Sequence, residues 1–152
     1  MNVSGDTIVG PIFVIIIKDD FSKIPNGHPA IEHRMEFLYS EGVHTGKISL
    51  TKYVEISSTN AAKIFGMYPR KGTIAIGSDA DIVIFDPQKK HTISVNTHHM
   101  NCDYSAYEGK EVIGKTETVI LRGKIAIENS TCKLKAGHGE FIPRSKTSKT
   151  VI

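Results

Sequence analysis

The residues able to do chemistry in this chain are scattered, and their spacing decides what they could do. His98 and His99 stand side by side, with Asp103 four residues on. Imidazole and carboxylate are ordinary zinc ligands. Neighbouring residues of an extended chain point to opposite faces, however, so the two rings rarely serve one ion. His33 lies between Glu32 and Arg34, the pattern of a solvated charged helix face. Asp79, Asp81 and Asp86 suggest paired acids, yet a turn and a strand end account for all three. Arg70 and Lys71 precede Gly72, but no glycine-rich strand-to-helix loop follows to cradle a phosphate, and both read as surface residues. Cys102 and Cys132 form neither a CxxC pair nor a zinc spacing. They read as free, buried thiols in a reducing compartment, and the expected address is the cytoplasm.

Composition narrows the partners. The 152 residues are 39% hydrophobic and 23% charged, with a net charge of +3. That is an ordinary soluble globular composition, and the charge is too small to imply nucleic acid. Part of it sits in a tail with Arg144, Lys146 and Lys149. The apolar run Ile12 to Ile17 is six residues long, far short of the roughly 20 that span a bilayer. It also lacks the basic start and cleavage site of a signal peptide. No membrane partner is expected.

The elements that would position these side chains are helical first and extended afterwards, a mixed α/β order with no internal repeat. Thr7 to Ile17 reads as a strand broken at Gly10-Pro11, and Pro25 to Pro29 as a loop. Ile31, Met35 and Leu38 mark one helix face, ending at Gly42. Ser49 is the expected N-cap of a second helix with Leu50, Tyr53 and Val54 on one face. Thr59 or Asn60 is the expected cap of a third, Ala61 to Phe65, stopped by Gly66. Strands follow at Thr73 to Ile76 and Ile82 to Phe85 around a Gly77-Ser78-Asp79 turn, the second buried on both faces. Further strands are expected at Thr92 to Val95 and Glu111 to Ile113. A hairpin, Thr118 to Leu121 with Lys124 to Ile127, turns at Arg122-Gly123.

Three separated motifs, in order, carry a family resemblance. They are Asp19-Asp20-Phe21-Ser22-Lys23-Ile24-Pro25-Asn26-Gly27-His28-Pro29 running into Ile31-Glu32-His33-Arg34; Gly77-Ser78-Asp79-Ala80-Asp81-Ile82-Val83-Ile84-Phe85-Asp86; and Thr97-His98-His99-Met100-Asn101-Cys102-Asp103-Tyr104 with Tyr107-Glu108-Gly109. Together they resemble the dihydropyrimidinase and D-hydantoinase family of cyclic amidohydrolases from about Lys18 to Lys146. The resemblance implies the C-terminal end of an amidohydrolase (β/α)8 barrel, 18–70, followed by part of the small β-sandwich domain, 71–130. An extended tail, 131–152, would follow, expected to lie away from the sheet from Ala136 onward unless a partner is present, and 1–17 departs from the family pattern. The chain is too short for a whole barrel, which takes roughly 250 residues.

For function, the resemblance implies hydrolytic opening of cyclic amide rings. Intact members bind two zinc ions through a His-x-His pair, a carboxylated lysine, two further histidines and an aspartate. No His-x-His occurs here, and the barrel segments bearing the ligands have no counterpart. No catalytic residue, metal ligand or cofactor is therefore assigned to this chain. Asp6, in Ser4-Gly5-Asp6, departs from the family's Gly-Ser-Asp order around its aspartate and is not carried over. Asn26 is: it matches the asparagine whose backbone grips the amide edge of the ring, a task main-chain groups can perform irrespective of side chain. The expected chain is inert alone and binds a cyclic amide only within the intact fold. Self-association or a homo-oligomer is expected, because its strands leave apolar faces and edges open. The alternative is a non-catalytic assembly module that pairs with full-length subunits.

Overall fold

Backbone capping sets the helical part. In this computed structural model, which describes residues 29–146, helix α1 (Arg34–Leu38) continues directly into a π-helical turn, Tyr39–Val43. The exit is made at Gly46, whose φ is +75°, and not at Gly42. Ile31, expected on the helix face, precedes the helix and is 77% exposed. Ser49 caps α2 (Leu50–Val54) as expected, its Oγ accepting from the Lys52 amide at 3.1 Å. Tyr53 is buried on this helix, but Leu50 and Val54 are exposed. The anticipated break before a third helix does not occur. A π-helical segment, Glu55–Thr59, joins α2 to α3 (Asn60–Ile64) without interruption. Thr59 keeps helical dihedrals, and its hydroxyl donates to the Gly72 carbonyl at 2.8 Å instead of capping. Gly66, at φ +67°, ends the run. No helix among the described residues is long and apolar enough to cross a membrane.

Four antiparallel strands, β1 (Ile82–Thr92), β2 (Glu111–Leu121), β3 (Lys124–Glu128) and β4 (Thr131–Cys132), lie side by side in sequence order. Val83 faces Val119, which faces Ile127. Arg122 and Gly123 turn the expected hairpin with φ of 48° and 76°, the doubly left-handed geometry that matches strand twist. The pairing of β1 with β2 shifts between Asp86 and Lys90, around Pro87, which has no N–H to give the ladder. Four expected strands merge into two longer ones. Glu111 to Ile113 and Thr118 to Leu121 are one strand, while the Thr92 region is the end of β1, with Ile93 still paired to Lys110 and Gly109. The Thr73 to Ile76 strand is absent: that stretch is irregular, with Ile74 82% and Ile76 108% exposed. Nor is the next strand buried on both faces, since Val83 and Ile84 are both half exposed.

Helix α1 and its π-helical turn lie against β2. Tyr39 meets Phe85 at 4.9 Å between ring centroids and Tyr53 at 5.9 Å. Gly114 makes this seam possible. Its φ is +95°, and a Cβ there would come within 2.4 Å of the Tyr39 ring and 2.7 Å of Phe85. The Ile113 amide donates across the seam to Ser40 Oγ at 3.2 Å. Residues 133–146 form neither helix nor strand, but they do not lie clear of the rest of the chain. Arg122 reaches the His138 carbonyl and Glu140, and the Ser145 amide donates to the Gly66 carbonyl at 2.8 Å.

Candidate functional site

Where α1 begins, its first turn projects two polar side chains into the seam. Glu36 is 8% exposed and His33 is 6% exposed, so His33 does not occupy the solvated face its charged neighbours suggested. The reason is tertiary: the His98 ring stacks on His33, and His91 of β1 meets Glu36. Glu36 Oε2 lies 2.9 Å from His91 Nε2 on β1 and 3.7 Å from His33 Nδ1. The His33 ring stacks parallel to His98 at 6.2 Å, and His98 Nε2 meets the Cys102 carbonyl at 3.0 Å. His33 Nε2, His91 Nδ1 and His98 Nδ1 have no hydrogen-bond partner. Sequence reasoning missed Glu36, although the His33-x-x-Glu36 spacing places the pair on one helix face.

These donors do not fit a metal centre of the kind the family resemblance implies. Among the described residues, no three of His, Cys, Asp and Glu are arranged to hold an ion.

His99 takes partners different from those of His98. Its Nδ1 lies 2.8 Å from Glu32 Oε1 and its Nε2 lies 2.7 Å from the Ser130 carbonyl, while its amide donates to Glu32 Oε2 at 2.7 Å. The Glu32 hydrogen bond, helped by the Ser130 carbonyl, raises the His99 pKa. Burial alone would raise Glu32, but its hydrogen bonds with His99 outweigh that and hold it below the usual carboxylate range. Asp103 is exposed and belongs to neither cluster. Cys102 is half-buried, and Cys132 is exposed, not buried as expected.

The Gly77-Ser78-Asp79-Ala80-Asp81 turn is a fastener. Lys71 is largely buried, contrary to its surface reading, and bridges Asp79, at 2.9 Å, and Asp81. Arg70 Nε meets Asp79 at 2.9 Å, and the other oxygen of Asp81 accepts from the Arg122 amide at 2.8 Å. The turn thus ties the end of the helical part to the hairpin. Asp86 accepts from the Gln88 amide at 2.8 Å, a strand-end role. Glu108, quoted in the third motif without a role, accepts from Ser94 Oγ and the Val95 amide at 2.8 and 2.7 Å.

Asn26 and its Pro25-Asn26-Gly27 turn, together with Asp6 and the Thr7 to Ile17 run, lie outside the described residues. Among the described residues, the two helical runs enclose an open groove of about 890 Å³ lined by Ile31, Phe37, Leu38, Ile56, Ala61 and Tyr107. Its walls are mainly apolar, with Arg34 and Glu41 the charged residues on them. Such walls suit packing more than bond-breaking.

Comparison with known proteins places these features. Residues 17–126 match the amidohydrolase family. The chain is 48% identical over 129 residues to a D-hydantoinase of Geobacillus stearothermophilus, covering 85% of this chain and 27% of that protein. It is 50% identical over 127 residues to a dihydropyrimidinase of Rattus norvegicus, covering 84% of this chain and 24% of that one. The solved D-hydantoinase from Bacillus sp. AR9 superposes with a TM-score of 0.82 at 57% identity, over 86% of this chain and 28% of that structure. The chain therefore spans about a quarter of the length of these relatives.

Proposed function

We propose, from the premise that the chain belongs to the amidohydrolase family, that it is the C-terminal portion of a dihydropyrimidinase- or hydantoinase-type hydrolase of cyclic amides. The observation that carries this is near-half identity to two such enzymes over about 85% of the chain, with the same backbone course. Residues 18–70 would close the barrel, 71–130 would contribute part of the small sandwich, and 131–152 would form the tail. In the intact fold two zinc ions would activate the attacking water, and Asn26 would hold the ring's amide edge through its backbone. The described residues supply no ligand set for those ions, so no step is assigned to this chain. Alone it is inert, since unassisted water keeps a pKa near roughly 15.7. Its compartment is the cytoplasm, and its partners are further copies of itself or of its relatives, with no nucleic acid.

A second reading, a non-catalytic assembly module, is favoured by one observation: Ile74, Ile76, Val83 and Ile84 are exposed along one stretch of chain. A single experiment separates the two. Hydrolysis of dihydrouracil and hydantoin is followed with added zinc, first for the purified chain and then after mixing it with the remaining three-quarters of a D-hydantoinase. The hydrolase reading expects no turnover alone and turnover on mixing. Turnover by the chain alone overturns its inertness, and a stable but inactive complex leaves the assembly reading standing.

A further inference from the structure

We propose that Glu32, His99 and the Ser130 carbonyl form a pH-operated clasp, which fastens the 93–110 loop to the entrance of α1 and to the β3–β4 turn. The geometry requires a particular protonation state. Both ring nitrogens of His99 face acceptors, the Glu32 carboxylate at 2.8 Å and a main-chain carbonyl at 2.7 Å. A neutral imidazole carries one N–H and can satisfy only one of them, whereas the imidazolium donates to both. The parts that meet are remote in sequence: 67 residues separate Glu32 from His99, and 31 separate His99 from Ser130. Ser130 presents its carbonyl from a left-handed turn, with φ of +58° after Asn129 at +50°.

The direction of the response follows from the groups in place. Glu32 and the Ser130 carbonyl favour the charged ring, and Lys115 of β2 opposes it. His33 beside Glu32 further favours its carboxylate. Since His99 is raised above 6.5, its contribution is complete below pH 6.5 and is lost as pH rises through the folded value. Since Glu32 is lowered below 4.5, its contribution is complete above pH 4.5 and is lost as pH falls through its folded value. The clasp is therefore closed between those limits. On the alkaline side the carboxylate, the stronger acceptor, keeps the remaining N–H, and the Ser130 contact lets go.

The test is carried out on the full chain. Histidine ring resonances are titrated by NMR, and amide protection factors are read at Thr131 and Cys132 across the same pH range. We expect a His99 midpoint above 6.5 that moves down in Glu32→Gln, and protection that falls about two- to tenfold through that midpoint. In His99→Gln the protection should not vary with pH, whereas His44→Gln, at an exposed site, should behave as the parent. A His99 midpoint at or below 6.5, no movement in Glu32→Gln, or an unchanged pH dependence in His99→Gln would each overturn the clasp. If His99→Gln does not fold, the midpoint in Glu32→Gln decides alone.

Discussion

Two regions of this molecule are built from similar residues and end in opposite states. Along the seam between α1, α2 and the sheet, Tyr53 is 6% and Val112 4% exposed, with Tyr39 and Phe85 closing over Gly114. On the stretch from Ile74 to Ile84, large aliphatic side chains stand in solvent, Ile76 at 108%. The difference lies in what each element needs. A helix buries its apolar stripe against a single neighbour. A strand has two edges and two faces, so it needs several neighbours at once. Among the described residues the first kind of contact is made along the seam, and the second is left open from Ile74 to Ile84. Each aliphatic side chain left out forgoes about 1.5–3 kcal/mol of burial, and that is the physical incentive for self-association or for a partner.

The sharpest way to break this comparison is Gly114→Ala. The left-handed φ and the collision with Tyr39 and Phe85 act together, and we expect a loss of about 3–5 kcal/mol, read as the midpoint of urea unfolding. A loss under about 1 kcal/mol would mean that the seam is loose. Next in size is Glu36→Ala, which strips the partner from His91 in the seam. It should cost about 1–3 kcal/mol by the same measurement; an effect within experimental error would show that the polar centre of the seam is solvated.

Tyr53→Phe comes third. Removing the hydroxyl that donates to the Met35 carbonyl should cost about 1 kcal/mol at neutral pH. Its pH signature is more telling. Burial, followed by the nearby Glu36 charge, pushes the Tyr53 pKa up from 10.0 to about 12. The folded chain therefore holds a proton that the unfolded chain gives up, and stability falls between pH 10 and about 12. Tyr53→Phe should flatten that slope, and an unchanged slope would place the ring in water.

The smallest stability effect belongs to the open side. Ile74→Ser with Ile76→Ser should shift unfolding by no more than about 0.5 kcal/mol while lowering the mass-average size in sedimentation. Destabilisation beyond about 2 kcal/mol would show that these side chains are buried in solution, and the contrast between the regions would fail.

Some of this was legible in the sequence because it depends on a few neighbouring residues. The Ser49 cap and the Arg122-Gly123 hairpin turn obey local backbone chemistry, and both stand where the sequence puts them. The three ordered motifs were sufficient for the family, since each couples turn residues to a fixed apolar context. Local rules failed where a distant neighbour decides. Thr59 does not cap a new helix, because Gly72 offers its carbonyl to that hydroxyl. His33 is buried and Lys71 largely so, because the His98 ring stacks on one and Asp79 and Asp81 neutralise the other. Thr73 to Ile76 has the composition of a strand but no partner among the described residues. Strand propensity states a fit to a half-buried pleated surface, and composition cannot supply that surface. The sequence by itself determined turns, caps and kinship. Which polar groups meet in the seam, how His99 joins three remote segments, and which apolar residues stay in water were decided by tertiary structure, because burial belongs to pairs of surfaces and not to residues.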